Sequence, residues 1–139
     1  MKKSLLILVV SALLSACNSS QAPKDLSQLE GYWEIEKAVF AEGEEKIYGV
    51  NTTIDYFFFE EPRGYRKKVQ PQLDGQYLTS DDAQNFRCRI LEDGSIVLEY
   101  SNGDLQWQEE LTYLDQNRLE LVSEQQIKYV YKRYEPLDL

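Results

Sequence analysis

Histidine is missing from this chain of 139 residues. Its absence removes the usual general base near neutral pH, the commonest nitrogen ligand for zinc and any serine–histidine machinery. Cysteine is almost missing too, with Cys17 and Cys88 only. The spaced Asp-x-Asp-x-Asp-Gly loop that holds calcium is also lacking. Acid pairs do occur, at Glu44-Glu45, Glu60-Glu61, Asp81-Asp82 and Glu109-Glu110. Adjacent residues on a strand point to opposite faces, so Glu109-Glu110 cannot form a catalytic dyad without a bulge. The other three pairs fall at predicted turns, where solvated charge is the ordinary explanation. Catalytic residues, a metal site and a cofactor are therefore not expected.

Long apolar runs are also scarce. One extends from Leu5 to Leu14, after Lys2 and Lys3, and ends at Leu14-Ser15-Ala16-Cys17. A bilayer span needs about 20 residues, so this run is too short to cross. A basic start, a short apolar stretch and small residues before a cut site are the marks of a processed leader. The pattern resembles a bacterial lipoprotein signal peptide closed by a lipobox. That resemblance implies cleavage before Cys17, a diacylglycerol on its thiol and an acylated new amino terminus. Residues 1–16 are then signal peptide, and 17–24 are the lipidated cysteine and a tether (NSSQAPK) reaching about 24 Å when extended. Two acyl chains suffice for stable anchoring. The plainer alternative is an ordinary secretory signal cut at Ser-Ala, with Cys17 incidental.

Positive charge is in deficit. The chain has 15 Lys and Arg against 24 Asp and Glu, and loss of Lys2 and Lys3 with the leader leaves 13 against 24, a net charge of −11. Such a balance disfavours nucleic acid and anionic headgroups as partners. With Cys17 lipidated, Cys88 has no disulfide partner. It reads as a small buried hydrophobe on an alternating strand. The alternative is a reactive or ligand-contacting thiol.

After Gly31 no long helical period is present. Asp25 caps one predicted helical or 3-10 turn that brings Leu26 and Leu29 to one side. Beyond it, short β-branched and aromatic runs predict strands near 32–40, 52–59, 64–70, 84–92, 95–101, 105–114, 118–123 and 126–134, with a short extended piece at 76–79. Asp93-Gly94 and Asn102-Gly103 predict tight hairpins. Ile96, Leu98 and Tyr100 share one face. Leu105, Trp107, Leu111 and Tyr113 share another, with Glu109 as an exception. Eight strands joined by short turns predict an all-β, eight-stranded antiparallel up-and-down barrel over 25–139, since closure removes both free edges. A monomer is expected.

Gly31-Tyr32-Trp33, just after the helical turn, resembles the Gly-x-Trp motif of lipocalins. The stretch with Trp107, Leu111-Thr112, Leu119, Leu121 and Lys132-Arg133 is similar to the end of the small lipocalin-like lipoproteins of Bacteroidetes. The resemblance implies a lipocalin-like barrel plugged near the Gly-x-Trp turn. It also implies that Arg133 of the last strand covers Trp33 and closes the barrel.

Two features bear on function. Tyr56, Phe58, Phe86, Cys88, Tyr100, Trp107, Tyr129 and Tyr131 fall on the apolar phase of their strands, which makes them candidates for the lining of an interior ligand site. Phe57 and Phe59 have the opposite phase to Phe58, so a bulge or an outer apolar patch must accommodate part of this run. The basic run from Arg63 to Lys68 is either a site for an anionic ligand or a solvated strand answering acidic neighbours, and the second reading is favoured. Two classes stay open. One is a membrane-anchored carrier of a small apolar or amphipathic ligand; the other is an envelope-tethered scaffold with a filled barrel that binds a protein. Asn18 after the cysteine points to the outer membrane, facing the periplasm.

Overall fold

The computed structural model describes residues 25–136; Cys17, the leader and the tether lie outside the described residues. Asp25 accepts a hydrogen bond from the Ser27 amide and caps a 3-10 turn, Leu26–Leu29. Ten strands follow: β1 (Gly31–Val39), β2 (Glu45–Ile47), β3 (Ile54–Glu60), β4 (Arg63–Pro71), β5 (Tyr77–Thr79), β6 (Gln84–Ile90), β7 (Ile96–Asn102), β8 (Leu105–Leu114), β9 (Arg118–Ser123) and β10 (Lys128–Arg133). All pairings are antiparallel. The order β1-β3-β4-β6-β7-β8-β9-β10 returns to β1, so eight strands close a barrel. These eight correspond to the eight predicted runs, and β5 to the short extra piece. The unpredicted β2 pairs with Lys37–Val39, where β3 has left the edge of β1.

Closure runs from Trp33 opposite Arg133 to Val39 opposite Lys128, with a bulge between Ile35 and Lys37. Trp33 is fully buried and its Nε1 donates to the Leu29 carbonyl at 2.9 Å. The Arg133 guanidinium sits 3.8 Å above the indole ring, a contact worth roughly 0.5–2 kcal/mol. The same guanidinium donates to the carbonyls of Gln28, Glu30 and Gln116. One side chain thus caps the 3-10 turn, covers Trp33 and reaches the β8–β9 turn. This end of the barrel is closed.

Turn chemistry follows the sequence. Gly94 and Gly103 have φ of +85° and +61°, the left-handed values that Asp-Gly and Asn-Gly hairpins require. Gly64 has a different role. A Cβ there would lie 2.2 Å from the Phe58 carbonyl and 2.6 Å from the Phe86 ring, so its lack of a side chain lets Phe86 pack inside.

The core gathers Leu29, Trp33, Phe57, Phe86, Leu98 and Leu119 near the closed end, with Tyr100, Leu121 and Tyr131 above them. Two expectations about facing are corrected. First, β3 pairs with β4 without a register break, and Phe57 is the ring in the core, with Phe59 packed against it. Tyr56 and Phe58 therefore face outward. Tyr56 lies beside Tyr32, with ring centroids 4.8 Å apart, and Phe58 stacks on Tyr65 at 5.0 Å. These outer aromatic neighbours compensate their exposure, so all three phenylalanines fit one regular strand. Second, a bulge between Leu111 and Tyr113 turns Tyr113 out to 42% exposure and puts Leu114 in the core instead.

Candidate functional site

Each strand changes character as it rises from the closed end. On β3 the inward series is Phe59, Phe57, Asp55; on β4 it is Gly64, Arg66, Lys68. On β8 it is Leu111, Glu109, Trp107; on β7 it is Ile96, Leu98, Tyr100. The lower interior is hydrocarbon and the upper interior is polar and aromatic.

Arg66 stands at the transition. Its Nη1 donates to Glu109 Oε1 at 3.0 Å, and its Nη2 donates to Asp55 Oδ2 at 3.1 Å and to the Tyr131 hydroxyl at 2.6 Å. The guanidinium plane lies over Phe57 and Tyr131, at 5.2 and 5.6 Å from the ring centroids. Lys68 Nζ is 2.7 Å from Asp55 Oδ1 and pairs with it from the more exposed side. The two cations and two carboxylates balance.

Protonation follows from this packing. Burial works against an ionised Asp55, but Arg66 and Lys68 outweigh it and hold the carboxyl below the ordinary aspartate range. Burial also works against charge on Arg66, and its anionic and phenolic neighbours hold it firmly protonated. Tyr100 and Tyr131 are pushed up by burial and stay neutral phenols. The Cys88 thiol is pushed up to about 11 by burial and by Glu61, so it is a packed thiol, not a thiolate nucleophile.

Three buried polar atoms of this interior make no well-formed hydrogen bond: Asp55 Oδ1, which Lys68 Nζ nevertheless approaches to 2.7 Å, Arg66 Nε, and the Tyr100 hydroxyl, which lies beside Arg66 and Glu109. Leaving a buried donor unmade costs about 1–3 kcal/mol. Tyr100 is 2% exposed and lies parallel to Trp107, with centroids 5.2 Å apart. Trp107 and Tyr129 are half-buried and pack on the core at the end opposite Arg133. The arrangement offers an N–H, a phenol O–H and aromatic walls. It has no excess charge for an anion. Among the described residues, no three Cys, Asp or Glu gather as metal ligands.

Of the sequence candidates, Phe86, Cys88, Tyr100 and Tyr131 are buried inside, and Trp107 and Tyr129 line the upper wall. Tyr56 and Phe58 are outside. Arg66 and Asp55 are interior residues that the alternation of their strands does not mark, and Lys68 joins them from the surface. Arg66 belongs to the basic run taken as solvated; Lys68, Lys67 and Arg63 do reach the surface, but Arg66 alternates inward. One signal was present: Glu109 interrupts the apolar phase of β8, and an acid on the inner face requires a buried cation.

No protein-family model and no curated protein matches the sequence. Solved structures do. A lipocalin-like protein from Bacteroides uniformis ATCC 8492 is 14% identical, matching 77% of this chain and 99% of its own, with a TM-score of 0.47. An uncharacterized protein from Bacteroides eggerthii DSM 20697 is also 14% identical, over 76% of this chain and 99% of its own, with a TM-score of 0.47. Apocrustacyanin C1 is 12% identical over 80% of this chain and 63% of its own, with a TM-score of 0.48. Likenesses of this size do not assign a family.

Proposed function

We propose that this protein is a lipid-anchored barrel that takes a small amphipathic molecule into its open end. The observation that carries the reading is a buried, incompletely satisfied polar cluster, Arg66 with its unpartnered Nε and the Tyr100 hydroxyl beside it, in an interior whose lower half is packed hydrocarbon. Natural interiors leave few such groups unpaired. A carbonyl or hydroxyl oxygen entering past Trp107 and Tyr129 would accept from them, and its apolar remainder would lie on the aromatic walls. Because Asp55 and Glu109 already neutralise Arg66 and Lys68, a neutral polar end suits the site better than a carboxylate.

Anchoring belongs to the same reading. The 3-10 turn fixes the chain entry at the closed end, so a tether from Cys17 would leave the open end directed away from the membrane. We place the domain in the cell envelope, on the outer membrane and facing the periplasm.

Titration with a neutral environment-sensitive probe, a fatty alcohol carrying a fluorophore, tests the site. Saturable binding to wild type, weakened about tenfold by Tyr100→Phe, is the expected outcome; about one hydrogen bond is lost, and a tenfold change is 1.4 kcal/mol. Absence of saturable binding favours the scaffold reading, in which the filled interior of Trp33, Phe57, Phe86 and Leu98 serves only stability.

A further inference from the structure

The outer wall formed by β3, β4, β6, β7 and β8 carries two parallel rows of side chains. Register places Phe58, Tyr65, Asn85, Ser101 and Gln106 side by side across the five strands. Two residues along, Glu60, Arg63, Arg87, Glu99 and Gln108 form the second row. Both rows face away from the core, since Phe57, Arg66 and Phe86 take the opposite phase.

Two open clefts lie along this wall. One, of about 580 Å³, is bounded by the stacked Phe58 and Tyr65 rings together with Glu61, Asn85 and Arg87. The other, of about 390 Å³, is bounded by Arg87, Glu99, Gln106, Trp107, Gln108 and Glu124. Arg87 lines both, so the clefts adjoin. The Phe58–Tyr65 ring pair stands at one end, and planar amide, guanidinium and carboxylate groups extend from it along the wall.

We propose that this wall binds a neutral oligosaccharide. The chemistry fits in four respects. Phe58 and Tyr65 stack on each other at 5.0 Å and 17°, and the outer ring face of the pair can take the C–H face of a pyranose, which is polarised toward an electron-rich ring. Planar groups with two adjacent donors or acceptors match vicinal hydroxyls, and among the described residues the side chains of Asn85, Arg87, Gln106 and Gln108 have no hydrogen-bond partner. Carboxylates outnumber guanidiniums around the two clefts, four to two, which disfavours an acidic polymer. Finally, the clefts lack the aliphatic centre that a protein interface has, and charged groups occupy their middle, where such interfaces are depleted of them. The site is separate from the barrel interior and stands whether or not that interior takes a ligand.

The test is affinity electrophoresis of the full mature chain in a polyoxyethylene detergent, whose headgroup is not a sugar. The gels contain dextran, xyloglucan, glucomannan or polygalacturonate. Retardation by at least one of the three neutral polymers is expected, with apparent affinity reduced at least tenfold in Tyr65→Ala and in Arg87→Ala. If Tyr65→Ala melts early, Gln108→Ala, an exposed position, decides by the same readout. Three results overturn the proposal: no retardation by any neutral polymer, retardation by polygalacturonate alone, or wild-type retardation in the folded variants. Capture of a protein through this wall, without retardation by neutral polymers, overturns it as well.

Discussion

Arg66 holds two carboxylates and a phenol around one guanidinium inside the barrel. Removing it strands Glu109 and leaves Asp55 to Lys68 alone, and breaking a buried pair from one side costs about 3–5 kcal/mol. Arg66→Met is expected to lower the unfolding free energy by that amount in urea titration. Arg63→Met, three residues away on the surface, should stay within about 0.5 kcal/mol of wild type. The same cluster sets an acid limit. The folded Asp55 carboxyl titrates below its unfolded value of about 3.9, because Arg66 and Lys68 outweigh burial. A depressed carboxyl contributes stability that is fully present above the unfolded value and is lost as pH falls through the folded one. Thermal melts should therefore drop steeply below about pH 4, and Asp55→Asn should flatten that limb. Equal slopes in both proteins would refute the assignment.

At the scale of elements, β3 shows how far sequence carries. Ile54, Tyr56 and Phe58 make the wholly apolar phase, whereas Phe57 and Phe59 share theirs with Asp55, so alternation alone points the wrong set inward. The outside is covered by Tyr32, which only the fold brings beside Tyr56, and by Tyr65, which the β3–β4 hairpin sets against Phe58, while Asp55 is met inside by Arg66. Phe57→Ala should cost about 3–5 kcal/mol, whereas Phe58→Ala should cost clearly less, by the same denaturation measurement. The hairpins at Asp93-Gly94 and Asn102-Gly103 were legible because their chemistry is local. So was the order of the eight barrel strands. β2 was not, since Glu45–Ile47 is exposed and too short to show a period. The interior cluster was half legible. Glu109 broke the pattern of β8, but its partner Arg66 lies 43 residues earlier, and no local signal joins them.

At the scale of the whole molecule the sequence is acidic, and the proposed anchor at Cys17 is testable apart from the fold. Cys17→Ala should be either unprocessed or released from the outer-membrane fraction, and should lack acyl mass by intact mass spectrometry. Normal processing and membrane partition of that variant would remove the anchor from the account. The barrel itself should fold in either case, since its core lies within residues 25–136.

The Arg133 clamp also sets a timetable. Its bonds to Gln28 and Glu30 join residues 105 and 103 positions apart, and the β1–β10 seam depends on the same late segment. During synthesis neither can form until residue 133 has left the ribosome. The first strand therefore waits, with one edge unpaired, through nearly the whole of translation. Contacts of such long range are slow to form in any case. The step that locks the fold is thus the last one available to the growing chain.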